Sequence, residues 1–340
     1  MGLVLLGLLI PVAGTAMVRR LANTDVVQQV MIRRVLQDDR SGLFEDGRLH
    51  VFTLGTGSPQ LGGTRMPVAT AVIAGDEFLI LDAGEGASRT IGELRLPIER
   101  ITAVFITHWH SDHFAGLGQI LNQSWNANRS HEVQIHGPVG VERVVDGLAS
   151  IYRDDIAYRS AGEVERHNPD WALGRPITIQ IPDGQPGRVV FERNGVVVKA
   201  FYVDHGHVTP AYGYRVEYNG KSVVVSGDTI VSPKTMAAAQ GCDLLVHEAV
   251  NVRLMTNAAT VLREMGQPAE ADRVEGVIRY HADTLGVAKL ATEADVAQLV
   301  LSHIIPDASN PFFESLFLDG MDQHFAGTIV LASDGQHFAL

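Results

Sequence analysis

Apolar residues along the chain fall into short runs punctuated by Gly, Pro, Asn and Asp, the pattern of many strands with fewer helices between them. Residues 50–54, 68–74 and 78–81 read as strands, the last two joined across Gly75-Asp76, with a turn over residues 55–59. Residues 103–106, 244–246 and 299–301 are wholly apolar, as expected of strands covered on both faces. Residues 133–135, 196–203, 211–216, 222–225 and 328–332 complete the set of expected strands. Helical spacing marks residues 21–38, 113–122 and 287–298. The strands come in two clusters, each followed by helices, which predicts two sheets packed together with helices outside. Residues 141–193 show less regularity and carry Tyr152, Tyr158, Trp171 and several Pro and Gly; they are expected to form an inserted cap or loop region over one edge.

Composition narrows the chemistry. The chain has 340 residues, enough for one large domain or two ordinary ones, and a single cysteine, Cys242. No intramolecular disulfide and no cysteine-based zinc ribbon can form, so a metal site must use His and carboxylates, and fourteen histidines are present. The net charge of −12 argues against nucleic acid as a partner, because that binding rests on Lys and Arg meeting phosphates. Residues 2–18 carry no charge and precede Arg19-Arg20. Their length predicts a signal peptide or N-terminal membrane anchor over residues 1–20, hence a periplasmic, secreted or membrane-anchored protein. Residues 21–48 then form a helical lead-in to a globular domain at 49–340.

The most informative stretch is Thr107-His108-Trp109-His110-Ser111-Asp112-His113, between a buried strand and a helix. Alternate side chains at a strand end, His108 and His110, point to one side. Asp112 and His113 lie on the turn that follows and can face a second point nearby. Such a packet suits two metal ions a few ångströms apart, each held by imidazole and carboxylate.

This His-x-His-x-Asp-His pattern resembles the signature of the metallo-β-lactamase superfamily, and the resemblance extends over nearly all of residues 49–340. It implies an α+β fold, a four-layer αββα sandwich with a two-metal site at one edge of the sheets. Asp82, in Leu81-Asp82-Ala83-Gly84, matches the family aspartate that supports the His loop, and Glu85 follows as in the ribonuclease Z-like branch. The segment His205-Gly206-His207 before Gly213-Tyr214-Arg215 looks like the third metal motif; spacing from Gly213 selects His207 as the ligand, with His205 as its near competitor. Asp228 matches the carboxylate that bridges both metals, and His303 the last ligand. The resemblance thus implies one metal held by His108, His110, His207 and Asp228, and another by Asp112, His113, Asp228 and His303. Zn2+ is the expected ion, with Mn2+ and Fe2+ also compatible with the donors. His247-Glu248-Ala249 is similar to the branch's His-Glu-Ala-Thr element, and His281 stands where the branch has His-Ser-Thr. Carried over, those roles make His281 the general acid, oriented by Glu248, so that Asp112, His281 and Glu248 form the catalytic set.

Departures from ribonuclease Z itself shape the functional expectation. Residues 214–228 leave room only for a hairpin turning at Asn219-Gly220, not for a long RNA-gripping arm, and Ala282-Asp283 replaces Ser-Thr. The expected activity is therefore phosphodiester or aryl sulfate ester hydrolysis on a small anionic substrate, of the phosphodiesterase or arylsulfatase type. Ribonuclease Z-like RNA cleavage and lactone or β-lactam hydrolysis are the alternatives. A homodimer is compatible with the chain.

Overall fold

The computed structural model describes residues 24–36, 40–60, 63–162 and 168–340. Two compact units divide the chain after Gly42. In the first, α1 (Asp25–Leu36) is a single helix. The signal or anchor expected over residues 1–20 lies outside the described residues. No helix among the described residues is long and apolar enough to cross a membrane.

The short helix α2 (Gly42–Glu45) follows, and among the described residues the second unit holds fourteen strands in two seven-stranded sheets. The first has the order β14-β1-β2-β3-β4-β5-β6, from β1 (Leu49–Gly55), β2 (Ala69–Ala74), β3 (Glu77–Leu81), β4 (Ile101–Phe105), β5 (Gln134–Gly137), β6 (Arg175–Thr178) and β14 (Gln336–Ala339). The second has the order β13-β12-β11-β10-β9-β8-β7, from β7 (Arg188–Arg193), β8 (Val196–Tyr202), β9 (Tyr212–Tyr218), β10 (Lys221–Val225), β11 (Leu244–Val250), β12 (Gln298–Ile305) and β13 (Thr328–Leu331). Each sheet is antiparallel on one side and parallel on the other: β3 to β6 run parallel in the first, β10 to β13 in the second.

Strand periodicity sorts the core into layers, because successive side chains leave opposite faces. Leu79 and Leu81 face the second sheet in a cluster shared with Tyr214, Val223, Val225 and Val246. Their neighbours Phe78 and Ile80 point outward into a cluster with Ile91, Leu117 and Ile120. Those come from α3 (Ala87–Glu93) and α5 (Leu117–Asn126), the latter following the single turn α4 (Ser111–Phe114). On the far side, Val224, Leu245 and Leu299 pack against Ala239, Val287 and Leu290, from α7 (Pro233–Ala239) and α10 (Thr284–Glu293). The order helix, sheet, sheet, helix is the expected αββα sandwich.

Residues 141–193 differ from the expectation of an irregular cap. They form α6 (Val141–Gly162), then β6 and β7, which close the edges of the two sheets. The helix was hard to read because only Val141 and Val145 are buried along its length, while Ile151 and Tyr158 face solvent. The stretch after β11, where no element was expected, folds as two helices, α8 (Val252–Glu264) and α9 (Pro268–Ile278), and α11 (Pro311–Leu318) follows β12. The turn at Asn219-Gly220 joins β9 and β10 with both residues at positive φ, as a two-residue hairpin loop requires.

Candidate metal centre

The candidate site lies at the carboxyl ends of the parallel strands β3, β4, β10, β11 and β12. Asp82, at the end of β3, adopts φ 56° and is almost fully buried. It accepts from the Thr107 backbone N–H at 2.8 Å, from Thr107 Oγ1 at 2.9 Å and from His113 Nδ1 at 2.8 Å. One carboxylate thus pins both ends of the histidine loop. With Nδ1 of His113 committed to Asp82, its Nε2 turns to Asp228, 3.2 Å away. His108 Nδ1 donates to Thr107 Oγ1 at 3.0 Å, which leaves its Nε2 for the site. The loop packs closely on the end of β3 because Gly116, between α4 and α5, carries no side chain: a Cβ there would stand 2.2 Å from the Gly84 carbonyl oxygen.

His303 owes its position to a β-bulge. Glu248 of β11 pairs with Ser302 and Ala249 with Ile304, so His303 has no partner across the ladder. It takes φ 47°, and its Nε2 lies 3.2 Å from Asp112 Oδ2 and 3.5 Å from Asp228 Oδ2. A strand pattern alone carries no sign of the extra residue.

The ligand-type atoms form two groups that meet at Asp228: His108, His110, His205 and Asp228 in one, Asp112, His113 and His303 in the other, with Asp228, His281 and His303 also adjacent. Within each group the atoms lie within 4.8 Å of one another. His108 Nε2 stands 2.9 Å from His110 Nδ1, and His205 Nε2 3.3 Å from the same atom. Converging imidazole nitrogens at such distances suit a shared cation. Asp228 Oδ1 and His113 Nε2 are buried without a hydrogen-bond partner, which also fits a site built for ions. For three of the rings the electrostatics agree, whereas Asp228 and Asp82 overcome the burial of His113 and raise its pKa. Burial lowers the pKa of His108, His110 and His205, keeping these rings neutral with lone pairs available. Burial opposes charge on Asp228, yet the His113 and His303 rings beside it hold its carboxyl well below the usual range.

The structure corrects one ligand. His205, not His207, joins His108, His110 and Asp228. A tight turn closes immediately after His205: the Val208 N–H donates to the His205 carbonyl at 3.1 Å, and Gly206 takes φ 61°. That turn carries His207 to the exposed side. His205 Nδ1 donates to the Tyr280 carbonyl at 3.0 Å, which fixes the ring with Nε2 facing the cluster. Spacing from Gly213 carries no sign of this reversal of the chain.

Glu248 and His281 come together as expected. Glu248 Oε1 accepts from His281 Nδ1 at 2.9 Å, from the Thr229 N–H at 3.0 Å and from the Ala282 N–H at 3.2 Å. A single oxygen therefore ties the Asp228 loop to the His281 loop. Burial disfavours charge on His281, but the charge and hydrogen bond of Glu248, with Asp228 beyond, overcome it and raise its pKa to about 9. His281 is protonated at neutral pH, with Nδ1 engaged and Nε2 left for the cavity. Trp109, inside the histidine motif, packs edge-on against Phe114 and donates to the Val139 carbonyl at 3.1 Å. Arg215 is bound to the Ala238 carbonyl, Ser222 and Glu217, a structural arrangement.

A buried two-group His/Asp cluster at the ends of parallel strands in an αββα sandwich defines a metal-dependent hydrolase. Residues 62–264 match the metallo-beta-lactamase superfamily. Ribonuclease Z of Mycobacterium marinum is 32% identical over 261 residues, 76% of this chain and 87% of the relative. Ribonuclease Z of Mycobacterium bovis is 31% identical over 289 residues, 84% of this chain and 96% of the relative. Among solved structures, human tRNase Z, short form, superposes with a TM-score of 0.60 at 24% identity, covering 85% of this chain and 98% of that one. The chain belongs to the metallo-beta-lactamase superfamily, and within it to the ribonuclease Z-like branch.

This membership overturns the partner expected from sequence. A small anionic substrate with nucleic acid excluded does not accord with relatives that are ribonucleases along nearly their whole length. The net charge of −12 sums the whole chain and does not report the local field at the site, which cations bound by its donors would dominate.

Proposed function

We propose that the protein is a ribonuclease Z-type endoribonuclease that hydrolyses a phosphodiester bond in RNA. The observation that carries this reading is the His281–Glu248 pair, 2.9 Å apart, opening on the same cavity as the His/Asp cluster. Hydrolysis of an RNA phosphodiester expels a sugar oxygen that needs a proton, and a protonated imidazole held by a carboxylate is suited to give it. The identity to ribonucleases Z over most of both chains supports the same reading.

The geometry supports one division of roles. His108, His110, His205, Asp228, Asp112, His113 and His303 would hold two divalent cations, zinc being the ion that neutral imidazoles and carboxylates suit well. When bound, such ions supply Lewis acidity for water activation and offset charge on the phosphoryl oxygens. Asp82 keeps the histidine loop in register, as its three hydrogen bonds show. Glu248 holds His281 protonated and oriented, and His281 delivers its proton from Nε2 to the leaving oxygen.

Incubation with a precursor tRNA after chelation, with and without added Zn2+ or Mn2+, tests the proposal. Metal-dependent endonucleolytic cleavage is the expected result. No cleavage under any metal condition, alongside hydrolysis of another ester class, would overturn it.

A further inference from the structure

The cavity over the cluster, about 850 Å³, is far larger than a phosphodiester group needs and is the size of pockets that enclose a small organic molecule. Its two sides differ in chemistry. One carries His110, Asp112, Asp228, His281 and His303. The other is mainly apolar and belongs to the helical hairpin after β11: Met255 from α8 and Val274 and Val277 from α9, with Ile305 from the end of β12, while Glu270 and Arg273 of α9 also line it. The apolar residues among them form one packed cluster with Val250. The hairpin is braced outside the cavity by Arg263, whose guanidinium pairs with Asp272 at 2.8 Å and with Glu275.

Tyr280 connects the two sides. It follows α9, immediately precedes His281, is half-buried and lines the cavity. Its ring centroid lies 4.8 Å from that of His281. Arg273 is the one Arg or Lys among the described lining residues, and it is already paired with Glu270 at 2.8 Å. The wall therefore offers little to a sugar-phosphate backbone and much to a flat, weakly polar ring.

We propose that this wall, with Tyr280 as its aromatic contact, is a subsite for one unpaired nucleobase, that of the nucleotide carrying the leaving oxygen. The inference rests on the RNA phosphodiesterase reading above. In RNA the nucleobase is the part that suits an apolar wall, and a base inside a duplex is stacked and paired and cannot enter a concave pocket. The side of the bond follows from the proton. Water adds to phosphorus and loses a proton to solvent, the phosphorus bond to the leaving sugar oxygen breaks, and that oxygen takes the proton from His281 Nε2, which solvent restores. The nucleotide that departs with that oxygen is the one beside His281, and so beside Tyr280.

Two RNAs of the same sequence test this, one intact and one with an abasic ribose at the nucleotide bearing the leaving oxygen. The wild-type protein should cleave the intact RNA about 10-fold better in kcat/KM, mainly through KM, as expected for a base on an aromatic platform. Tyr280→Ala should bring the intact-to-abasic ratio close to one, and Tyr280→Phe should keep it, since the ring and not the hydroxyl makes the contact. Each ratio is taken within one variant, so a general loss of activity does not imitate the effect, and the wild-type ratio needs no variant at all. A wild-type ratio near one, or a ratio kept in Tyr280→Ala, overturns the subsite while the RNA reading stands. Cleavage of neither RNA by protein that hydrolyses bis(p-nitrophenyl) phosphate overturns both.

Discussion

At the scale of single residues, the site depends on which imidazole nitrogen each partner leaves free. Asp82 takes Nδ1 of His113, the Tyr280 carbonyl takes Nδ1 of His205, and Thr107 takes Nδ1 of His108, so that each Nε2 faces inward. The His205 assignment is directly testable. His205→Ala should lower bound metal, counted by elemental analysis, toward one ion per chain, and His207→Ala should keep the full complement; the reverse pattern would restore His207 as the ligand. His281 adjoins Asp228 and His303 closely enough to be mistaken for a ligand. As a proton donor, it predicts that His281→Ala lowers kcat by about 10²–10⁴-fold with metal content unchanged. Loss of metal in that variant would assign it to the ions instead. His108, His110, Asp112 and His113 were legible in the sequence because their spacing within one loop is local, and Asp228, His281 and His303 through the family resemblance. His205 was not, because a turn between residues 205 and 208 decides it.

At the scale of elements, the parallel strands act as rigid posts and the chemistry sits just beyond their ends. β5 carries a group whose burial has a cost at low pH. His136 is 2% exposed and stacks on Phe105 with ring centroids 4.8 Å apart. Burial, reinforced by the charge of Arg175, pushes its pKa down to about 4. An unfolded chain, with a histidine near 6.5, binds more protons than the folded one between pH 6.5 and 4, so stability from this group is present above 6.5 and lost as pH falls through that window. From pH 7 to pH 5 the loss is about 2 kcal/mol. Denaturant unfolding at the two pH values should show His136→Phe losing less stability than the wild type by about that amount; equal losses would mean that His136 does not stay neutral. The strands themselves were readable from short apolar runs. α6 and the α8–α9 hairpin were not, since α6 buries only its first turns and the hairpin spends its apolar face on one end of the second sheet and the cavity.

At the scale of the whole molecule, the charge of −12 and the short β9–β10 hairpin bear on how the RNA proposed as substrate would be held. With few free cations around the cavity, binding should rest on the ions at the site and on apolar contact. The KM for RNA should therefore rise less than about 10-fold between 50 and 200 mM salt, against the 10³–10⁵-fold loss typical of proteins that neutralise many phosphates. A steep dependence would point to a basic surface elsewhere on the chain.

The sequence by itself determined the two-sheet sandwich and the histidine loop, which depend on alternation within strands and on a motif whose parts are neighbours in the chain. The places of Asp228, and of Glu248 and His281, which lie 33 residues apart, were legible only through resemblance to the family. Only the tertiary structure decided that His205 and not His207 enters the cluster, that a bulge turns His303 toward Asp112, and that a helical hairpin builds an apolar wall opposite the metal side. Each of those depends on where the backbone reverses or gains a residue relative to a distant strand, and a one-residue difference there moves a side chain to the opposite face.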